Sequence, residues 1–225
     1  AIMNNMNPRT RTIEAISQDG VLARNKVLRQ TYTLLAMNVL FSAVCAYIGM
    51  LMEIRVPIWL YFLGFFGLVH AVVANRNSGA GIVLLFALTG FLGFSISNVL
   101  GAMVGAGMGA IVVKALAGTA ILFFGLSAYV LFTGTNFSFL GAFLYTGIMV
   151  AFLAGIGGWL FGMSALSLAS SAAFLLISSG YVLYNTSNII QGEETNYIMA
   201  TLDLFINIFN IFLSLLNILS AFNRN

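Results

Sequence analysis

Seven apolar segments follow one another along this chain, each near the ~20 residues an α-helix needs to cross ~30 Å of hydrocarbon. They run near residues 27–52, 58–74, 79–100, 111–132, 139–161, 164–190 and 197–221. Backbone N–H and C=O groups placed in hydrocarbon must be bonded within the protein, which restricts such segments to helices when they are this long. The links at 53–57, 75–78, 133–138, 162–163 and 191–196 are short and force antiparallel neighbours. Only the glycine-rich link 101–110 is longer, its glycines reading as close helix packing or, as the alternative, as a mobile outer flap. The expected fold is an all-α integral membrane protein with seven transmembrane helices in one compact bundle.

Composition agrees: 60% of residues are hydrophobic and 7% charged, against about 25% charged in a soluble domain. The net charge of +3 forms no dense basic patch, which excludes nucleic acid as a partner. The lipid bilayer is the first partner the sequence implies. Residues 1–26 are a polar N-terminal tail, with Arg9, Arg11, Arg24 and Lys26 set against Glu14 and Asp19. This tail reads either as a disordered lead-in or as a handle for a cytosolic partner. Residues 27–221 form the transmembrane domain, and 222–225 a short C-terminal tail. The first span follows basic residues as a signal peptide would. The six further spans and the lack of a small-residue cleavage site make it an anchor instead.

With the N-terminus inside, cytoplasmic segments hold Arg9, Arg11, Arg24, Lys26, Arg29 and Arg76, and the far side holds Arg55, Lys114 and Arg224. The bias favours a cytoplasmic N-terminus and, after seven spans, an outer C-terminus. Gly101, Gly105 and Gly109 at steps of four, and Gly141, Gly147, Gly155 and Gly158 in the fifth span, point to close helix packing.

Polar residues inside the spans are few, so their placement carries information. The last span sets Asp203, Asn207, Asn210, Ser214 and Asn217 at steps of four, three, four and three. At about 100° per residue they share roughly 80° of arc. The preceding span answers with Ser171, Ser178 and Asn185 at heptad spacing, flanked by Tyr181 and Asn188. Both stripes are expected to face a shared interior. Counting inward at about 1.5 Å per residue, His70, Asn185 and Asp203 share one level, roughly 6–9 Å from the cytoplasmic face. That coincidence reads either as interfacial residues that reach up to water or as a polar plug or gate, with Ser178, Tyr181, Asn188, Asn210, Ser214 and Asn217 as the rest of a candidate pore.

Catalysis finds no support. A serine intramembrane protease needs a base facing its nucleophile, and the only histidine, His70, lies at the opposite end from Ser164. An aspartyl protease needs two membrane carboxylates, and only Asp203 is present. A single cysteine, Cys45, permits no intrachain disulfide and reads as a buried thiol. No cofactor or metal is expected, and one carboxylate cannot supply a calcium cage. Lys114 is expected to reach up to water from the fourth span, and Glu53 with Arg55 to be a solvated pair.

Several runs resemble the bacterial, YccA-like branch of the Bax inhibitor 1 (TMBIM) family. They are 26–32 (KVLRQTY), 89–93 (TGFLG), 127–131 (SAYVL), 137–141 (FSFLG), 177–180 (ISSG), 186–190 (TSNII) and 192–198 (GEETNYI). Together they span nearly all of the chain from about residue 24. The resemblance implies a seven-helix fold with the seventh helix central, and a bacterial inner-membrane location. It implies two functions. One is non-enzymatic modulation of FtsH, the membrane-anchored ATP-dependent protease, engaged through the N-terminal tail as a slow substrate. The other is a pH-sensitive leak for a cation, calcium or proton, controlled in the family by paired aspartates on helices six and seven. By local pattern those positions are Asn185 and Asn207 here, which can hydrogen-bond between helices but cannot exchange a proton in the physiological range. Asp203, with His70, is the displaced sensor that the second function would require.

Overall fold

The computed structural model describes the backbone of residues 8–223 and the side chains of residues 20–223. Among the described residues the chain forms seven α-helices: α1 (Pro8–Leu51), α2 (Ile58–Ala74), α3 (Gly79–Gly105), α4 (Gly109–Thr133), α5 (Gly141–Leu160), α6 (Ser164–Gln191) and α7 (Tyr197–Phe222). A single 3-10 turn, Ser138–Leu140, leads into α5. Six of the helices are long and apolar enough to cross a membrane, and α2 is a shorter apolar helix of 17 residues. The chain is an all-α, multi-pass membrane protein.

Helix ends follow the local chemistry. Pro57, with φ fixed near −65°, precedes α2 and needs no hydrogen-bond partner for its nitrogen. Gly192 stops α6 in the left-handed region at φ +80, where a side chain would be strained, and the Glu193 N–H then reaches back to the Asn188 carbonyl at 2.9 Å. Asn196 caps α7, its Oδ1 accepting from the Ile198 and Met199 N–H groups at 3.0 and 3.1 Å.

Two boundaries differ from the hydropathy reading. The helix of the first span begins at Pro8, so residues 8–26 lengthen α1 on its N-terminal side instead of leading in without structure. Polar helical residues leave no trace in a hydropathy pattern. At the other end of the bundle α3 runs on to Gly105, and the link to α4 shrinks to residues 106–108. Glycine lowers helix propensity in water, but backbone in hydrocarbon has no better alternative.

Helix α7 is central, packed against α1, α3, α4 and α6. Helices α2 and α5 lie outside, on α3 and α6 respectively. Twelve α7 residues are buried, among them Leu202, Leu204 and Ile211 in the main core. The α1–α3 contact is the tightest seam. A Cβ on Gly93 would overlap the Ser42 carbonyl oxygen, and one on Gly49 would stand 2.5 Å from Ser97 Oγ. Across the same seam Thr89 Oγ1 donates to Asn38 Oδ1 at 2.9 Å, while Asn38 Nδ2 donates to the Leu34 carbonyl at 2.9 Å. Both side chains are fully buried, and the pairing satisfies groups that hydrocarbon would penalise by several kcal/mol.

Candidate functional site

The two polar stripes do face one another across the α6–α7 contact. At the C-terminal end of α7 Asn217 Nδ2 donates to Ser171 Oγ at 2.7 Å, and Ser171 Oγ donates to the Ser167 carbonyl at 3.1 Å. Deeper in, Ser178, Asn185, Asn207 and Ser214 are all buried, with Asn210 half-buried. Tyr181 lies within electrostatic range of Asp203 and packs edge-on against Tyr184, ring centres 6.1 Å apart.

Asn185 and Asn207 share this interior without pairing. Asn207 Nδ2 turns back along its own helix and donates to the Asp203 carbonyl at 2.7 Å. Among the described residues no hydrogen bond joins Asn207 to Asn185, so the expected interhelical amide pair is not formed. The geometry explains the preference: an amide at i can reach the i−4 carbonyl within one helix without bringing two backbones together. The Ser178 hydroxyl has no partner among the described residues.

His70 is not part of the cluster. It is exposed on α2, which packs chiefly on α3. A residue count gives distance along the axis and not the side of the helix. The polar group that neighbours Asp203 electrostatically from the inner end is Glu194, in the α6–α7 link.

The end of the bundle where α7 begins is tied together by loop bonds the sequence did not announce. Asn196 Nδ2 donates to the Arg76 carbonyl and to Asn77 Oδ1, both at 2.9 Å, linking the α2–α3 loop to the cap of α7. Gln191 Nε2 donates to the Gly134 carbonyl at 3.0 Å, and the Phe137 N–H donates to Ser187 Oγ at 2.8 Å. Oriented to suit its neighbours, the Asn188 amide donates to Glu193 Oε2 at 3.2 Å and to the Tyr184 carbonyl at 3.3 Å. Asn188 is therefore a brace for the loop and not a pore-facing group. The only advance signal was an asparagine standing immediately before a helix, at position 196.

Arg24 closes the same end from α1. Its Nη1 donates to the Ile190 carbonyl at 3.1 Å, in the last turn of α6, beside the turn made by Gly192. A cation there meets the negative end of the helix dipole. Arg24 is thus engaged within the bundle, whereas Lys26 is exposed. The side chains of Arg9 and Arg11 lie outside the described residues.

An apolar groove lies on the other side of α7. A groove of about 640 Å³ runs between α1 and α4, floored by Phe205, Ile208, Phe209 and Phe212. These positions sit roughly 180° round α7 from the polar stripe, and no stripe residue lines the groove. Among the described residues no three His, Cys, Asp or Glu side chains come together as metal ligands would.

Comparison with known proteins matches residues 24–224 to the family described as "Inhibitor of apoptosis-promoting Bax1". The chain is 44% identical over 207 residues to "Modulator of FtsH protease YccA" of Escherichia coli (strain K12), covering 92% of this chain and 94% of that protein. The same identity and coverage hold for "Inner membrane protein YccA" of E. coli O6:H1. An "Uncharacterized membrane protein" of Vibrio cholerae is 37% identical over 212 residues, covering 93% and 95%. With the seven-helix bundle in place and the match running through all seven helices, the chain belongs to the Bax inhibitor 1 family.

Proposed function

We propose that this protein is a non-enzymatic inner-membrane modulator of FtsH, acting as a slowly extracted substrate that occupies the protease. The observation that carries the reading is the 44% identity, over nearly the whole of both chains, to a relative named as a modulator of that protease. The fold supports it. Helix α1 has 44 residues and is about 66 Å long, roughly twice the hydrocarbon thickness, so its N-terminal part projects well beyond the bilayer. The Lys/Arg bias places that projection in the cytoplasm, with the C-terminus on the periplasmic side. Arg9, Arg11 and the exposed Lys26 lie on the projecting segment that the protease would grip.

An enzyme drawing the chain in from its N-terminus meets the Arg24 contact first. Behind it comes a helix packed on α3, α6 and α7 together. The Arg24–Ile190 bond is partly buried and is worth about 1 kcal/mol net. Arg24→Gln is expected to raise the population of the detached inner end about fivefold and to shorten the cellular half-life by up to that factor. Pulse-chase in cells with and without FtsH checks this: the loss of half-life appears only where the protease is present.

The competing reading is a calcium or proton leak along Asp203, Asn207, Asn210, Ser214 and Asn217. Its support is the stripe itself, with Asn207 and Ser214 buried and Asp203 and Asn210 half-buried. Against it, Asn207 and Asn217 are bonded within the bundle, and the open groove lies on the opposite face of α7. Calcium flux in proteoliposomes, compared for wild type and Asp203→Asn at about pH 6 and about pH 8, separates the two. The modulator reading expects no flux above empty liposomes for either protein at either pH. Flux that changes with the substitution would replace it with the leak.

A further inference from the structure

The groove between α1 and α4 has the shape and surroundings of a lipid site. Its wall on α1 runs from Tyr32 to Met50, a rise of about 27 Å, close to the full ~30 Å of hydrocarbon. It is open at the side, because Leu40 and Tyr47 on α1 and Leu116 and Phe124 on α4 line it while remaining exposed. In a bilayer the solvent at that opening is acyl chain. At the end nearer the N-terminus the floor is closed by Tyr32 and Phe123, whose ring centres are 6.0 Å apart.

Two cations of α1 mark that end. Arg29 lies in the same arc of α1 as the lining residues Ala36, Ala43 and Tyr47, within roughly 40° of each. Lys26 lies one turn nearer the N-terminus and about 60° beyond Arg29, on the side away from the lining, from which its long side chain must bend to share a headgroup. Both are exposed, in contrast to Arg24, which is turned into the bundle. At the far end Arg55 stands in the α1–α2 link two residues from Glu53, and the only cation on α4, Lys114, lies on the opposite side of the helix from most of the lining positions. The groove is therefore apolar along its length, with two cations of one helix at its N-terminal mouth and a cation and an anion close in sequence beyond the other.

We propose that this groove binds an anionic phospholipid from the leaflet at the N-terminal end of α1, with an acyl chain lying over the aromatic floor of α7 and the headgroup phosphate held by Arg29 and Lys26. The occupant is fixed by chemistry. A chain of methylenes suits a lining whose polar atoms are few, and a diffusing anion is needed to answer two juxtamembrane cations. The inference is independent of FtsH and of ion conduction. It gives α7 two distinct surfaces, polar toward α6 and lipid-facing toward the groove.

Native mass spectrometry of the full-length protein, extracted from bilayers of phosphatidylcholine with phosphatidylglycerol, tests the proposal. Wild type is expected to retain phosphatidylglycerol selectively. Arg29→Gln with Lys26→Gln should lower that selectivity about fivefold per cation removed. Ala43→Phe, which fills the groove from an exposed position, should remove the retained lipid, while Leu153→Phe on the exposed face of α5 should not. Equal loss in Ala43→Phe and Leu153→Phe would mean unspecific boundary lipid and would overturn the site. So would selectivity unchanged by the double substitution, or a wild-type dimer that Ala43→Phe dissociates with lipid retention unaltered. Unchanged thermal midpoints confirm that each variant is folded.

Discussion

Gly93→Val is expected to lower the midpoint of thermal unfolding by roughly 6–12 °C. The Cβ of any residue at this position would overlap the Ser42 carbonyl oxygen, and it would also stand 3.1 Å from the Ser42 carbonyl carbon and from Ser42 Oγ. The obstacle is backbone, so no rotamer change relieves it. Helices α1 and α3 must separate, which strains the Asn38–Thr89 hydrogen bond one turn away. Overpacking of this kind costs about 3 kcal/mol, and a chain of this size loses about 2–4 °C per kcal/mol. Gly125→Ala is the control. Nothing lies within 4 Å of a Cβ there, and the residue is exposed within α4. Its substitution should leave the midpoint unchanged or raise it slightly through helix propensity. A midpoint for Gly93→Val within 2 °C of wild type, in a fluorescence or light-scattering melt of purified protein, would contradict the seam as described.

Removal of residues 1–19 should lengthen the cellular half-life severalfold in cells that contain FtsH. The shortened helix keeps Arg24 and its contact with Ile190, so the bundle stays closed at its inner end. What disappears is the polar start of α1, on which, in the proposed function, an energy-driven protease gains its hold. Under the modulator reading the truncated protein also ceases to occupy the enzyme, and substrates of FtsH turn over faster when it is overproduced than when wild type is. An unchanged half-life, with wild-type and truncated chains decaying in parallel, would place the point of engagement elsewhere.

The sequence made the helices easy to find and their neighbours hard. Twelve of the fourteen helix boundaries lie within two residues of the hydropathy reading, because crossing hydrocarbon requires length and apolarity that any window detects. The exceptions are the end of α3, which runs on through glycines, and the start of α1, where residues 8–26 are polar and helical together. Asp203 and Asn207 were legible as a stripe because one helix carries both. Whether Asn207 would bond to Asn185 or to its own backbone depended on the separation of two helices, which periodicity does not encode. His70 failed for a related reason: counting residues gives depth, while membership of a cluster also needs the right side of the helix. The groove could not be read at all, since it arises where α1 and α4 stand apart above α7.

The α1–α3 seam has a mechanical meaning. Gly93 against Ser42, Gly49 against Ser97 and Asn38 bonded to Thr89 are arranged along two helices whose axes share one direction of pull. A tug on the N-terminus along that axis slides α1 past α3 and loads these contacts in parallel, as a lap joint is loaded. Peeling from a loop would open them one at a time. A motor that advances in small steps is stalled far more effectively by the first arrangement, so the end of the chain most accessible to extraction is also the end from which the bundle yields last.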